Sequence, residues 1–168
     1  MTFKEKIVSL RSGSKTSAIW KGKGETVVFT NGCFDILHVG HVSYLSKAAE
    51  LGSKLIVGIN SDQSVKRLEK GSNRPVNTQD SRAILLAALE FIDLVIVFDT
   101  DTPLEMIENL NPNILVKGGD YDAQETNPDS KKYIVGSSFV LKNNGKVSTI
   151  DLVDGFSTTS IIDKMKND

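Results

Sequence analysis

The chain has 168 residues and a formal net charge of −1 at pH 7, and 39% of its residues are hydrophobic and 24% charged. This composition is that of an ordinary globular protein with one compact domain. It excludes a basic surface that could hold long nucleic acid, and no apolar run reaches the ~20 residues that a membrane-spanning helix needs.

Short apolar runs alternate along the chain with stretches in which apolar residues recur three and four positions apart, which predicts alternating strands and helices. In chain order, the predicted elements are strand 26–30, helix 39–51, strand 54–59, helix 78–92, strand 94–98, helix 103–110, strand 114–117, helix 137–143, strand 147–152 and helix 157–165. We expect residues 1–24 to form a peripheral amino-terminal extension and residues 25–168 to form the domain.

Strands that are almost entirely apolar and separated by helices predict a Rossmann-like α/β fold, an open parallel five-stranded sheet with helices on both faces. The expected strand order is 3-2-1-4-5, with right-handed crossovers. Ligands bind such sheets beyond the carboxyl ends of the strands, where the strand order reverses. We therefore expect a binding crevice between the first and fourth strands.

The only two histidines of the chain, His38 and His41, lie in the loop that joins the first strand to the next helix. Helix amino ends attract anions because their N–H groups are unpaired and the helix dipole is positive there. An imidazole N–H can donate to phosphate oxygens as negative charge builds up in a transition state. Gly40, between the histidines, allows a ligand to approach the backbone closely. This loop predicts a phosphate site with two catalytic histidines.

Polar residues also follow the fourth and fifth strands. In residues 117–120 (KGGD), Lys117 offers a positive charge, the glycines leave an open floor, and Asp120 can accept from a sugar hydroxyl or bind Mg²⁺. Residues 157–159 (STT) begin a helix and offer hydroxyl and amide groups to a second phosphate group. Because the carboxyl ends of parallel strands meet at one edge, all three motifs are expected in one crevice.

Each motif also has a simpler interpretation. The two histidines could be a metal pair, although zinc requires three or four ligands, or they could be structural. Residues 157–159 could be only a helix cap, and residues 117–120 only a turn after a strand.

Three other residues have open roles. Cys33 is the only cysteine, which excludes an internal disulfide and favours a reducing, cytoplasmic location. We expect Cys33 to be a small buried residue rather than a nucleophile. Arg74 and Arg82 could both be solvated. Alternatively, residues 71–76 (GSNRPV) could close over a ligand and bring Arg74 to it.

The HxGH loop and the STT motif resemble the cytidylyltransferase-like nucleotidyltransferase superfamily. The stretches TNGCFDILHVGH, NSD, RPVN, VKGGDY and DGFSTTSII together resemble the adenylyltransferases of bacterial ADP-heptose synthesis. The resemblance extends over residues 26–165. Residues 122–133, which follow the VKGGDY motif, depart from it because they are longer than the usual connection.

The resemblance implies transfer of AMP from ATP to D-glycero-β-D-manno-heptose 1-phosphate, which yields ADP-heptose and pyrophosphate for the lipopolysaccharide core or a surface glycan. It also implies Mg²⁺ held mainly by the ATP phosphates rather than by a protein metal site. We expect the stand-alone form of the enzyme, a homodimer, with a separate heptose kinase in the same pathway. We expect no nucleic-acid or membrane partner. The alternatives are cytidylyl or adenylyl transfer to another phosphorylated acceptor, such as glycerol 3-phosphate or FMN, and a non-catalytic nucleotide-binding module.

The resemblance and the motifs together assign site residues. The catalytic residues are His38 and His41. The nucleotide-binding residues are Thr30, Asn31, Gly32, Phe34, Gly40, Lys117, Gly118, Ser157, Thr158 and Thr159. The substrate-binding residues are Asp35, Arg82, Gly119 and Asp120.

Overall fold

The computed structural model of the chain describes residues 2–68 and 73–166. Its strands form one five-stranded sheet in the order β3-β2-β1-β4-β5, and every neighbouring pair is parallel. The strands are β1 Val27–Gly32, β2 Lys54–Asn60, β3 Leu94–Phe98, β4 Ile114–Gly118 and β5 Lys146–Ile150. The predicted fold and strand order are confirmed. Apolar runs were an adequate signal because the central strands of a parallel sheet are buried on both faces.

The five predicted helices are present, together with two helices and a 3-10 turn that were not predicted. The helices are α1 Leu10–Gly22, α2 Val39–Ala49, α3 Asp62–Arg67, α4 Gln79–Ala87, α5 Leu104–Leu110, α6 Ser137–Lys142 and α7 Thr158–Lys166, and the 3-10 turn is Phe3–Lys6. Among the described residues, no helix is long and apolar enough to cross a bilayer.

Helix α4 ends five residues before the predicted end at residue 92. The chain leaves it through two tight turns, in which the N–H of Leu89 bonds to the carbonyl of Leu86 and the N–H of Ile92 to that of Leu89. Ile92 is fully buried and Leu89 packs against the same apolar cluster. The apolar spacing therefore continues past the helix because the turns keep the same face buried, although the helix itself has ended.

Helix α1 packs on the sheet, although residues 1–24 were expected to be peripheral. Ser9 caps it by accepting from the N–H of Ser12 at 3.2 Å. Its buried residues are Gly13 and Ser17, and the Ser17 hydroxyl donates to the Leu110 carbonyl at 2.8 Å. A Cβ on Gly13 would lie 2.5 Å from Cδ1 of Ile96, so the helix approaches the sheet closely. Leu10 and Trp20 also pack against the second core cluster, but glycine and serine at the buried positions between them interrupt the hydrophobic period, which is why the sequence pattern missed the helix.

The two faces of the sheet are covered by different helices, and each face has its own core cluster. The first cluster includes Tyr44 and Leu45 of α2 and Leu86 of α4. The second includes Ile107 of α5 and Val140 of α6. Strand order reverses between β1 and β4, so α2 and α6 leave neighbouring strands toward opposite faces. A cleft opens between them, as expected for a doubly wound sheet.

Candidate active site at the carboxyl edge of the sheet

A cavity of about 620 Å³ lies at the carboxyl ends of β1, β2 and β4. Residues that follow β1, β4 and β5 line it, so the three motifs meet there. The predicted site residues that line the cavity are Asn31, Gly32, Phe34, Asp35, His38, Gly40, His41, Lys117, Gly118, Asp120, Ser157 and Thr158. The predicted site residues outside its lining are Thr30, Arg82, Gly119 and Thr159.

The two imidazole rings are stacked at the amino end of α2. His38 is the N-cap residue, and its ring centroid lies 3.7 Å from that of His41, with an angle of 22° between the ring planes. The Nδ1 atoms of both rings are buried and have no hydrogen-bond partner among the described residues. Both rings line the cavity. These two ring nitrogens are therefore available to hydrogen-bond a ligand.

Gly40 allows the histidine loop to meet the loop before α7. A Cβ on Gly40 would lie 3.0 Å from Nδ1 and Cε1 of His38 and 3.1 Å from Cβ of Phe156. Contacts this short are tighter than most, so a larger residue would require His38 or Phe156 to shift by a few tenths of an ångström. The glycine thus brings the motif that follows β5 against the histidines.

The fold lowers the pKa of both histidines, which favours their neutral forms. Burial lowers the pKa of His38 below its ordinary value. The pKa of His41 is lowered to about 4, first by burial and then by the charges of His38 and Arg74, against a smaller opposing effect of Asp35. Two stacked rings so close together cannot easily hold a proton each. The pair is therefore a set of neutral hydrogen-bond donors and acceptors until an anion binds nearby.

The low pKa of His41 predicts a loss of stability in mild acid. The unfolded chain holds a proton on this residue below about pH 6.5, whereas the folded chain does so only below about pH 4. The free energy of unfolding therefore decreases as the pH falls from 6.5 toward 4, and this residue contributes about 1 to 2 kcal/mol of that decrease by pH 5. Urea unfolding at pH 7 and pH 5 measures it, and His41→Gln should show a smaller difference. An equal difference in both proteins would contradict the lowered pKa.

Asp35 holds the histidine loop to two other segments. Its fully buried carboxylate accepts hydrogen bonds from Nε of Arg74 at 2.7 Å and from the N–H groups of Val76 at 2.8 Å and Asn77 at 2.9 Å. Its carbonyl accepts from the Thr158 hydroxyl at 2.7 Å. Burial alone would raise the pKa of Asp35, but these N–H donors and Arg74 outweigh burial and lower it. The protein itself engages the carboxylate, and the assignment of Asp35 to substrate binding stays a prediction.

Arg74 lines the cavity, although the sequence left its role open between solvation and contact with a ligand. Its side chain is 12% exposed and lines the cavity while Asp35 holds its Nε. The interpretation of Arg74 as solvated is therefore wrong. Closure of residues 71–76 over a ligand stays a prediction, and Gly71 and Ser72 lie outside the described residues. The RPVN motif was visible, but its contact with Asp35 spans 39 residues and leaves no local signal.

Arg82 is buried behind the histidine loop, so the interpretation of Arg82 as solvated is also wrong. Its guanidinium donates to the carbonyl of Cys33 at 2.7 Å, to the carbonyl of Asn77 at 3.1 Å and to the carboxylate of Asp62 at 2.8 Å. The side chain is 0% exposed. It is directed to protein partners rather than to the cavity, whereas the sequence had suggested a substrate contact. Cys33 is buried, as predicted.

Thr30 lies beneath the cavity floor. Its hydroxyl is 2.7 Å from that of Tyr44 and donates to the Val116 carbonyl at 2.9 Å. Tyr44 lines the cavity, and burial raises its pKa above the ordinary value. Tyr44 was not predicted as a site residue. It lies inside α2 and lines the cavity, whereas the predicted site residues of this segment were confined to the loop and the first turn of the helix.

The motif after β4 forms part of the cavity floor. Nζ of Lys117 lies 3.4 Å from the Asn31 carbonyl oxygen and 5.2 Å from the ring centroid of Tyr121. A Cβ on Gly118 would lie 3.0 Å from the Asp120 carboxylate, and one on Gly119 would lie 2.9 Å from that of Asp151. The glycines therefore let the chain pass close to neighbouring acidic side chains, and Gly119 is turned toward β5 rather than into the cavity.

The start of α7 both caps the helix and lines the cavity. The Ser157 hydroxyl accepts from the N–H of Ser160 at 3.0 Å, so the helix-cap interpretation is correct for this residue. Ser157 and Thr158 also line the cavity, whereas Thr159 is exposed outside it. The two interpretations of the STT motif are compatible, because a capping side chain lies where an anion meets the helix amino end.

The chain is similar in sequence to known proteins. The model of the cytidylyltransferase-like family matches residues 29–164. The chain is 54% identical over 164 residues to the bifunctional protein HldE of Campylobacter fetus, which is 98% of this chain and 32% of that protein. It is 56% identical over 143 residues to the bifunctional protein HldE of Syntrophotalea carbinolica, which is 85% of this chain and 27% of that protein. The chain thus spans about a third of the length of these relatives.

A solved structure is also similar. The lipopolysaccharide core biosynthesis protein from Thermoplasma volcanium has a TM-score of 0.58 to this chain and 26% sequence identity. The match covers 77% of this chain and 98% of that one.

Proposed function

Since this chain belongs to the cytidylyltransferase-like family, we propose that it is an enzyme that transfers AMP from ATP to D-glycero-β-D-manno-heptose 1-phosphate. The products are ADP-heptose and pyrophosphate. The high identity to HldE proteins and the likeness to a lipopolysaccharide core biosynthesis protein support a role in the synthesis of the lipopolysaccharide core. The VKGGDY and DGFSTTSII motifs, which resemble those of ADP-heptose synthesis, support the choice of acceptor.

The observation that carries the proposal is the uncommitted histidine pair. No described group hydrogen-bonds either ring, and both rings line a cavity that also contains the amino end of α7. Buried polar atoms without partners cost free energy, so such an arrangement is retained where a ligand supplies the partner. A triphosphate satisfies it, because it brings many acceptor oxygens to two helix starts.

The reaction requires positioning and charge stabilisation rather than a covalent intermediate. An oxygen of the sugar 1-phosphate attacks the α-phosphorus of ATP, and the bond from that phosphorus to the bridging oxygen of the β-phosphate breaks. The attacking phosphate is already ionised at neutral pH, so no general base has to remove a proton from it. The neutral imidazoles of His38 and His41 donate to the oxygens of the α-phosphate as charge builds up there. Ser157 and Thr158 receive the departing phosphates.

Magnesium enters this scheme as part of the ATP substrate. Among the described residues, no group of three or more His, Cys, Asp and Glu side chains could hold a metal ion. An ion held mainly by phosphate oxygens and water suits this setting, since Mg²⁺ keeps several water ligands and binds few carboxylates. The bound ion would neutralise the triphosphate.

Three further statements stay predictions: a homodimer, a cytoplasmic location, and an acceptor supplied by a sugar kinase. The kinase is expected from the resemblance to the enzymes of ADP-heptose synthesis.

The test is a pyrophosphate-release assay with ATP or CTP against three acceptors, which are the heptose 1-phosphate, glycerol 3-phosphate and FMN. We expect turnover with ATP and the heptose 1-phosphate, and ADP-heptose as the product identified by mass spectrometry. Preferred turnover of CTP with glycerol 3-phosphate would establish the rival transferase instead. Tight ATP binding without pyrophosphate release for any acceptor would establish a non-catalytic nucleotide-binding module.

A further inference from the structure

The connection from β4 to α6 begins with Gly119 and Asp120, and the residues that follow Tyr121 have no role in the transfer as described so far. Its long part, residues 122–133, is folded by its own hydrogen bonds. The N–H of Asp122 donates to the Lys132 carbonyl at 3.0 Å, and this bond closes the loop at its base. The N–H of Lys132 donates to the Ser130 hydroxyl at 3.2 Å. The next residues fix its position, because Ile134 is fully buried in the second core cluster.

This connection forms one of two walls of the cavity. The nucleotide wall comprises His38, His41, Ser157 and Thr158 and lies on the side of α2. The acceptor wall, as we name it, comprises Thr102, Pro103, Lys131 and Tyr133. Its residues come from the start of α5 and from the connection to α6. These two helices cover the opposite face of the sheet from α2, so the two walls are supplied from different sides of the sheet and line the same cavity.

The acceptor wall combines one cation with hydroxyl groups. Lys131 is exposed and forms no ion pair with any residue in the described ranges 2–68 and 73–166. By contrast, Arg74 is held by Asp35, and Lys117 lies against the Asn31 carbonyl and the Tyr121 ring. An ammonium group beside hydroxyls suits a polyhydroxy molecule that carries a phosphate, because every polar group of that ligand can find a donor or acceptor.

We propose that Lys131, together with the hydroxyls of Tyr133 and Thr102, binds the phosphorylated sugar acceptor, and that the extended β4–α6 connection thereby selects it. This inference rests on the proposed function, since it assigns the wall left open by the nucleotide. Because both walls line one cavity, an acceptor held by this wall would share that cavity with the nucleotide. Lys131 is a binding residue in this scheme and takes no part in the bond changes at phosphorus.

The test compares Lys131→Met and Lys131→Glu with the control Lys132→Met. Lys132 is the exposed neighbour of Lys131 and does not line the cavity. We expect KM for the heptose 1-phosphate to rise about 10-fold in Lys131→Met and further in Lys131→Glu, with KM for ATP within about twofold of wild type. Calorimetric titration of the acceptor into each nucleotide-free protein should show the same loss of affinity. Lys132→Met should match the wild type in all three measurements.

Other outcomes separate the two proposals. An increase in KM for ATP instead of the acceptor would assign this wall to the nucleotide and overturn the inference. Unchanged acceptor KM and affinity in both Lys131 variants, with an active wild type, would overturn the inference and leave the proposed function in place. A wild type that releases no pyrophosphate with any acceptor would overturn both.

Discussion

Replacement of His41 by alanine is expected to lower kcat for pyrophosphate release by about 10² to 10³, or about 3 to 4 kcal/mol of barrier. KM for ATP should change little, because the lost hydrogen bond strengthens only as charge builds up at the α-phosphorus. The stacked rings, 3.7 Å apart, hold each other in place, so His38→Ala should have an effect of similar size. Steady-state kinetics with ATP and the heptose 1-phosphate measure both.

Two further variants distinguish a catalytic role of the histidines from a structural one. His41→Gln keeps a side-chain N–H donor, and we expect it to recover part of the lost rate. Lys47→Ala changes an exposed residue of the same helix outside the cavity lining and should leave kcat unchanged. An unaltered kcat in both histidine variants would mean that the pair is structural. Urea unfolding of each variant shows whether the fold is retained.

Replacement of Arg82 by methionine is expected to lower the free energy of unfolding by about 3 kcal/mol. In the wild type the guanidinium donates hydrogen bonds to the carbonyls of Cys33 and Asn77 and to the carboxylate of Asp62. The change to methionine leaves these acceptors without that donor. This loss of unfolding free energy should lie at the low end of the range for removing one partner of a buried ion pair, because the Asp62 side chain is 30% exposed and water can reach it. Equilibrium urea unfolding gives the value.

The matched control is Arg67→Met. Arg67 also contacts a carboxylate, with Nε 2.7 Å from Asp101, but its side chain is 44% exposed. An exposed pair of this kind contributes about 1 kcal/mol or less. If Arg82→Met instead retained full stability and raised only the KM for a phosphorylated substrate, Arg82 would be a substrate ligand, as the family resemblance had implied.

The sheet could be predicted from the sequence because burial leaves a nearly continuous apolar run in strands β1 to β4, whereas β5 has the mixed sequence KVSTI. Leu94–Phe98 is predicted at both ends, since all five of its residues are apolar. The limits of this signal appear in helix α1. Gly13 and Ser17 are its buried residues, and small residues that allow close packing carry no hydrophobic period. The end of α4 was predicted too late because the apolar period continues past the helix. The turns that follow the helix pack against the same core cluster.

The site was predictable to the extent that it follows from strand ends. Motifs after β1, β4 and β5 had to meet at one edge of a parallel sheet, and the cavity lies there. Side-chain direction could not be read in the same way. Thr30 is directed into the interior toward Tyr44 and Val116, and Arg82 toward backbone carbonyls. The partner of Asp35 is distant in sequence. Lys131 lies in a polar stretch without local pattern, and only the folded connection brings it to the cavity.

A crystal structure with α,β-methylene ATP, which cannot release pyrophosphate, tests the central claim most directly. The account predicts that the α-phosphate lies within hydrogen-bond distance of His38 and His41, and that the β- and γ-phosphates lie at Ser157 and Thr158. A nucleotide bound with its phosphates away from both imidazoles, or with the two rings turned from the cavity, would contradict it.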